Sequence, residues 1–309
     1  MYDAAPHTPI ASTKRTRGAT KAAVQSPLKH QQLNKKPIIP APQGALFSPA
    51  LNGGDDSTST VESTGSQDIT PDEDDNEEYY QTGDDEFNPY QFIGGLPPHQ
   101  SVAIRGKICL PQSLRQFPVT LTLDLDETLV HCSVEPIANP DIIFPVSFNG
   151  ASYQVFVRKR PYLDHFLETV SKRFEVVVFT ASQRVYADKL LDLIDPEKKF
   201  IQHRLFREAC LLVQGNYIKD LNVLGRDLKK TVLVDNSPHA YGYQLDNGIP
   251  IESWFDDETD TELLKLAEFL KKVVDAGDVR PVVKEHFKSY TLVDKARQGL
   301  PIKMRAPPF

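Results

Sequence analysis

Short apolar runs bounded by turn residues begin only after about Ser101. Val119 to Leu125 is a β-favouring run of the kind a strand buried on both faces carries. Asp141 to Phe148 and Tyr153 to Arg158 flank Asn149-Gly150, and Asn-Gly between two such runs predicts a hairpin. Pro161 opens a helical stretch through Arg173, with Leu163, Phe166, Leu167 and Val170 on one face. Glu175 to Phe179 is a second compact strand, after which Ser182 is expected to cap a helix carrying Val185, Lys189 and Leu193 through to Ile194. Leu205 to Val213 predicts short strands and Thr231 to Val234 another buried one. A final helix is expected over about Thr259 to Val274, with Leu263, Leu266, Leu270 and Val273 at helical spacing. Apolar strands alternating with helices predict an α/β domain: a Rossmann-like parallel sheet flanked by helices, with a small β-hairpin insert and a core over about 117–275.

Before that domain the texture differs. Residues 1–98 begin basic, with Lys14, Arg15, Arg17, Lys21, Lys29, Lys35 and Lys36, and then hold no Lys or Arg until Arg105. Acidic residues, Ser, Thr, Gly and Pro fill most of the gap. Such composition does not bury enough apolar surface to offset an ordering cost of ~1–2 kcal/mol per backbone residue, so 1–98 reads as a disordered tail and 99–309 as the catalytic domain. The cluster Lys14-Arg15-Thr16-Arg17 reads either as a solvated patch or as a nuclear-import signal. The pairs Thr8-Pro9, Ser26-Pro27, Ser48-Pro49 and Thr70-Pro71 are chemically suited to proline-directed kinases.

The whole chain has 309 residues and a formal charge of -7. Its 3 cysteines form neither a disulfide framework nor metal-ligand spacing, which points to a reducing compartment. No apolar run approaches the ~20 residues that cross a bilayer, and no signal core opens the sequence, so neither a membrane span nor a secretory route is expected. A monomer without direct nucleic-acid contacts is expected.

Polar signatures close three of the apolar strands: Asp124-Leu-Asp126-Glu-Thr128, Thr180-Ala-Ser182 and Asp235-Asn236-Ser237-Pro238. In open α/β sheets ligands bind beyond the carboxyl ends of the strands, so adjacent strands would deliver Asp124, Asp126, Thr180, Asp235 and Asn236 to one crevice. Carboxylates so gathered repel one another unless a cation sits between them. The donors are all oxygens, which suits Mg²⁺, a hard ion that usually takes one or two carboxylates and a substrate phosphate. The implied chemistry is metal-assisted phosphoryl transfer, in which an Asp acts as nucleophile and a second carboxylate two residues away as acid and base. Lys219, in Tyr217-Ile-Lys-Asp220, is the natural cation for the remaining phosphate charge. No P-loop glycine pattern is present, which argues against a nucleotide triphosphatase of that class.

Asp124-Leu-Asp-Glu-Thr-Leu-Val130 resembles the D-x-D-x-T signature of the haloacid dehalogenase superfamily, and more narrowly that of the phosphatases acting on the C-terminal domain of RNA polymerase II. The resemblance extends over about Phe117 to Leu292 and includes Val178-Phe-Thr-Ala-Ser182, Gly215-Asn-Tyr-Ile-Lys-Asp220, Val234-Asp-Asn-Ser-Pro238 and Trp254-Phe-Asp256. It implies a phosphoprotein Ser/Thr phosphatase with Asp124 as nucleophile and Asp126 as acid and base. It places Mg²⁺ on the Asp124 carboxylate, the Asp126 backbone carbonyl and the Asn236 side chain. Thr180 and Lys219 would bind phosphate, and Asp235 would orient Lys219 or the metal shell. Substrate contacts are expected from Thr128 and from a hydrophobic pocket at Val134, Val146, Phe148, Tyr186 and Arg207. Gln183 stands where the small phosphatases of the family often place an apolar residue, which directs attention to phosphorylated transcription regulators beside the polymerase tail. The implied compartment is the nucleus.

Neither the stretch from Asp126 to Thr180 nor that from Thr180 to Lys219 leaves room for a closing domain of ~50 residues, so the cleft is expected to admit a phosphorylated protein loop, with Pro after the phosphoresidue as one expected context. Two other classes stay open at this point: an inactive phosphoprotein-binding adaptor on the same fold, and a small-molecule phosphatase. The basic pair Lys159-Arg160 reads either as a steering element for an anionic peptide or as a solvated surface.

Overall fold

The computed structural model describes residues 46–47, 87–99, 109–112 and 116–302. The basic cluster and the Ser/Thr-Pro pairs of the expected tail lie outside these residues. The parts of 1–98 that are described are packed. Leu46, Phe47, Tyr90 and Ile93 are buried, and a short helix α1 (Pro89–Gly94) is capped by Asn88, whose side chain accepts from the Tyr90 and Gln91 N–H groups at 3.0 and 3.1 Å. The packed unit therefore takes in pieces of chain well before Ser101.

The core is a five-stranded parallel sheet in the order β10 (Gly248–Pro250), β9 (Thr231–Asp235), β1 (Val119–Leu123), β5 (Phe174–Phe179) and β6 (His203–Leu205). Every residue of β1, β5 and β9 is buried, as their apolar, β-branched runs require of strands covered on both faces. A smaller antiparallel sheet joins β2 (Val130–Ser133), β4 (Ala151–Lys159) and β3 (Ile142–Phe148), and β7 (Leu211–Val213) pairs with β8 (Asn216–Ile218). The β3–β4 turn is the expected one: Phe148 pairs with Ala151, and Asn149 and Gly150 have φ of 50° and 78°, the left-handed pair that a tight hairpin demands.

Helix α2 (Leu163–Val170) buries the anticipated Leu163, Phe166, Leu167 and Val170. Helix α3 (Arg184–Ile194) buries Tyr186, Ala187, Leu190 and Leu191, leaving Val185 and Leu193 exposed. Its N-cap is Gln183 and no side chain caps it, so the expected capping role of Ser182 is not realised. Helix α4 (Glu262–Val274) buries the predicted Leu stripe, but it is not the last: α5 (Val279–Phe287) and α6 (Ser289–Arg297) follow, and Val293 of α6 packs with Tyr90 and Ile93 of α1. The packed domain thus runs past the expected core limit near 275. Among the described residues the insertions are the small sheet and the β7–β8 hairpin, and no large cap domain is present.

Candidate active site

The sheet order brings the three strand-end signatures side by side. Leu123 pairs with Val178 on one side and with Val234 on the other, so the residues after β1 emerge between those ending β5 and β9. The chain adds β5 and β6 to one side of β1 and β9 and β10 to the other. That reversal of strand order about β1 opens a crevice at the carboxyl ends. The Asp124 N–H donates to the Val234 carbonyl at 2.9 Å, fixing the first carboxylate beside the third signature.

Asp124, Asp126, Thr180, Lys219 and Asp235 are all buried. The Lys219 ammonium bridges two acids, donating to Asp124 Oδ1 and, at 2.6 Å, to Asp235 Oδ2. Asp235 is held in turn by the Ser237 N–H at 2.9 Å. Burial pushes the Asp124 carboxyl up to about 6; Lys219 pulls against this and the Asp235 charge adds to it. Asp235 is raised for the same reason, burial outweighing its contact with Lys219. Burial alone would lower the Lys219 pKa, but its two carboxylates raise it, so the lysine stays charged and Asp124 is ionised at neutral pH.

Thr128 is fully buried, and its hydroxyl lies 3.1 Å from Asp124 Oδ2 and 3.3 Å from Asn236 Oδ1. The Asn236 amide nitrogen donates to Ser253 Oγ at 2.9 Å, which turns its oxygen toward Thr128. Thr128, expected to contact substrate, has its hydroxyl on Asp124 and Asn236. Asp126 is gripped by hydroxyls: Tyr186 donates to Oδ1 at 2.6 Å, and Ser182 and Thr180 reach Oδ2 at 2.6 and 3.3 Å. The Thr180 oxygen accepts the Ser182 N–H at 3.0 Å, leaving its own proton for Asp126. Cys132 Sγ lies 2.8 Å from the Tyr186 hydroxyl, and burial raises both the thiol and the phenol well above their usual ranges, so both stay protonated.

A divalent ion fits this donor set. Among the described residues no three His, Cys, Asp or Glu side chains gather into a metal cluster, and the oxygens beside Asp124 are those of Asn236 and the Thr128 hydroxyl. The Asp124 and Asn236 oxygens share one hydroxyl, and two buried carboxylates, Asp124 and Asp235, are bridged by the single ammonium of Lys219 while the Asp126 carboxyl lies on the neighbouring hydroxyls. That excess of negative charge in a desolvated crevice favours a hard cation.

The expected pocket residues are partly gathered. Tyr186 and Val146 are buried, while Val134 and Phe148 are half-buried against the main core. The Arg207 guanidinium lies 5.0 Å from the Tyr217 ring and donates to the Ala181 carbonyl at 2.5 Å. Phe144 was absent from the expected set, yet it stacks on Tyr186 with centroids 6.3 Å apart. Period-two alternation along β3 places it on the face of Val146 and Phe148, and that was the signal available for it. Ser182 is the other omission.

Arg160 differs more. Neither the steering nor the solvated-surface reading holds for Arg160, which is 1% exposed. It donates to Asp260 through Nε at 2.9 Å and Nη2 at 2.8 Å, and through Nη1 to the carbonyls of Thr128 at 3.1 Å and Glu252 at 2.9 Å. It thereby ties the Asp124–Thr128 loop to the segment carrying Ser253. Lys159 is half-buried and paired with Asp164 at 2.5 Å. Trp254 is buried as core, whereas Phe255 is 49% exposed.

A parallel sheet with two strand-end carboxylates and a buried lysine at its carboxyl edge is the arrangement of a phosphoryl-transfer enzyme of the haloacid dehalogenase type. A family model described as NLI interacting factor-like phosphatase matches residues 119–280, and the chain belongs to that family. It is 53% identical over 212 residues to CTD small phosphatase-like protein 2 of Dictyostelium discoideum, covering 68% of this chain and 37% of that protein. With CTD small phosphatase-like protein 3 of Caenorhabditis elegans it shares 47% identity over 234 residues, covering 72% of this chain and 81% of that protein. With the human carboxy-terminal domain RNA polymerase II polypeptide A small phosphatase 2 it shares 47% over 183 residues, 59% of this chain and 67% of that protein. The chain thus spans well under half of the first of these relatives and most of the second. Phosphatases of this type are in general metal-dependent. Among the described residues no helix is long and apolar enough to cross a membrane.

Proposed function

We propose that the chain hydrolyses phosphoserine or phosphothreonine in proteins, through a phosphorylated Asp124. The observation that carries this reading is the convergence of Asp124 and Asn236 on the Thr128 hydroxyl, with the Lys219 ammonium on the other Asp124 oxygen. In the first step an Asp124 oxygen forms a bond to phosphorus as the bond to the serine oxygen breaks, and Asp126 gives its proton to the departing alkoxide. In the second, water forms the new bond to phosphorus, Asp126 takes its proton, and Asp124 leaves as a carboxylate. Tyr186, Ser182 and Thr180 hold the Asp126 carboxyl in one place through both proton transfers. Lys219 keeps Asp124 ionised and offers positive charge to the transferring group. Magnesium would be held by Asp124, the Asp126 carbonyl and Asn236, with Asp235 behind Lys219, and would supply charge neutralisation at the phosphoryl oxygens.

The absence of a cap domain among the described residues and the names of the relatives support a phosphoprotein over a metabolite as substrate. Polymerase tails and phosphorylated transcription regulators, met in the nucleus, are the substrates we assign. Asp124→Asn is expected to retain the fold and lose turnover of an aryl phosphate, and EDTA to silence the unmodified chain until Mg²⁺ is restored. Normal turnover by the variant, or activity indifferent to EDTA, would refute the assignment.

A further inference from the structure

Leu46 and Phe47 stand more than seventy positions before β1, yet they are 1% and 5% exposed. Their contacts lie beside the site. The Gln183 N–H, at the start of α3, donates to the Leu46 carbonyl at 3.0 Å. Arg207 donates through Nη2 to the Phe47 carbonyl at 2.5 Å. The Phe47 ring meets the Tyr186 ring edge-on, centroids 4.7 Å apart, and the Tyr186 hydroxyl is the one bonded to Asp126. Two successive backbone carbonyls held by fixed donors, with an aromatic anchor between them and the acid, is the manner in which a folded domain captures a peptide. The two hydrogen bonds are to backbone carbonyls, which any chain presents, while the Leu46 and Phe47 side chains are buried against the main core. The residues that follow are Ser48-Pro49, which places a Ser-Pro pair directly after the anchor in sequence.

We infer that the Leu46–Phe47 segment is an intramolecular competitor for the peptide-binding groove, and that a phosphoprotein must displace it to reach Asp124. The inference rests on the phosphoprotein phosphatase reading. A tethered segment acts at an effective concentration of about millimolar, so weak intrinsic affinity suffices for occupancy in cis. A segment docked about nine-tenths of the time raises the apparent KM for a competing peptide about tenfold and leaves kcat alone. An aryl phosphate, which needs only the carboxylates and Lys219, does not meet the competition.

The test compares the full chain with its Leu46→Ala/Phe47→Ala variant, and with Phe47→Ala alone in case the double change misfolds. The substrates are a phosphoserine-proline peptide and p-nitrophenyl phosphate. The KM for the peptide is expected to fall about five- to tenfold with kcat unchanged, while aryl phosphate turnover stays within about twofold. A synthetic peptide of residues 40–52 should inhibit the variant competitively, and the same peptide carrying Phe47→Ala should not. An unchanged KM together with no inhibition in trans, at normal aryl phosphate turnover, overturns this inference alone. So does a joint fall of kcat and Tm with both substrates, which would make the dipeptide structural. Aryl phosphate turnover without any peptide turnover in the unmodified chain would bring down the phosphoprotein reading, and the inference with it.

Discussion

Replacing Lys219 by Met removes the one ammonium that separates Asp124 from Asp235. Both carboxylates are buried, and both touch the same nitrogen, one of them at 2.6 Å. Without it two carboxylate oxygens bound to one nitrogen are left facing each other, and two charges about 4–5 Å apart at an effective dielectric of about 20 repel by about 3–4 kcal/mol. Deleting one partner of a buried pair generally costs about 3–5 kcal/mol, in agreement. The pH dependence is more diagnostic than the size. Burial already holds Asp124 at about 6, and losing Lys219 raises both acids further. A carboxylate whose folded pKa exceeds its unfolded one destabilises the fold at high pH, and that penalty fades as pH falls and the group protonates. Urea unfolding in EDTA should therefore show Lys219→Met less stable by about 3–5 kcal/mol at pH 7.5, with the gap closing to under about 2 kcal/mol at pH 5. A loss below about 1 kcal/mol at pH 7.5, or one equal at both pH values, would refute the reasoning.

His239 is buried, and burial together with the Lys219 charge holds its imidazole down at about 4. The unfolded chain binds that proton first, so His239 by itself costs about 2 kcal/mol of stability between pH 7 and pH 5, against the opposite trend of the buried acids, and the stability difference between His239→Gln and the parent should shift by about that amount in the variant's favour over that window in denaturant titrations. Arg160→Lys keeps the charge but not the fork that spans Asp260 and two carbonyls, so about 2–3 kcal/mol should be lost in urea unfolding and aryl phosphate turnover should drop with it. A change within about 0.5 kcal/mol would mean that the buried network is not what orders the Asp124–Thr128 loop.

The positions of Asp124, Thr180 and Asp235 are legible in the sequence because short, mostly apolar strands buried on both faces admit few registers. Each strand delivered its next polar residue to the same edge of the sheet. Lys219 was found through its motif. The roles of Ser182 and Arg160 are hidden in the sequence for a common reason. A serine before a helix looks the same whether it caps that helix or, as here, bonds Asp126 across the sheet, and Arg160 resembles a surface cation until Asp260 comes within 2.8 Å. Helices α5 and α6 were passed over because they bury little: Val279, Val283 and Phe287 in one, Ser289 and Val293 in the other. Helix α1 carries a plain start signal in Asn88-Pro89, but it sits at the end of a long acidic stretch whose composition masks it. The burial of Leu46 and Phe47 had no local signal at all, since their partners lie on α3 and at Arg207.

Borohydride trapping during steady turnover of an aryl phosphate tests the covalent step most directly. An aspartyl-phosphate is reduced to homoserine, so peptide mass spectrometry should find homoserine at position 124, dependent on substrate. Continued turnover with position 124 unmodified, or with the reduced residue elsewhere, would contradict the assignment of Asp124 as nucleophile.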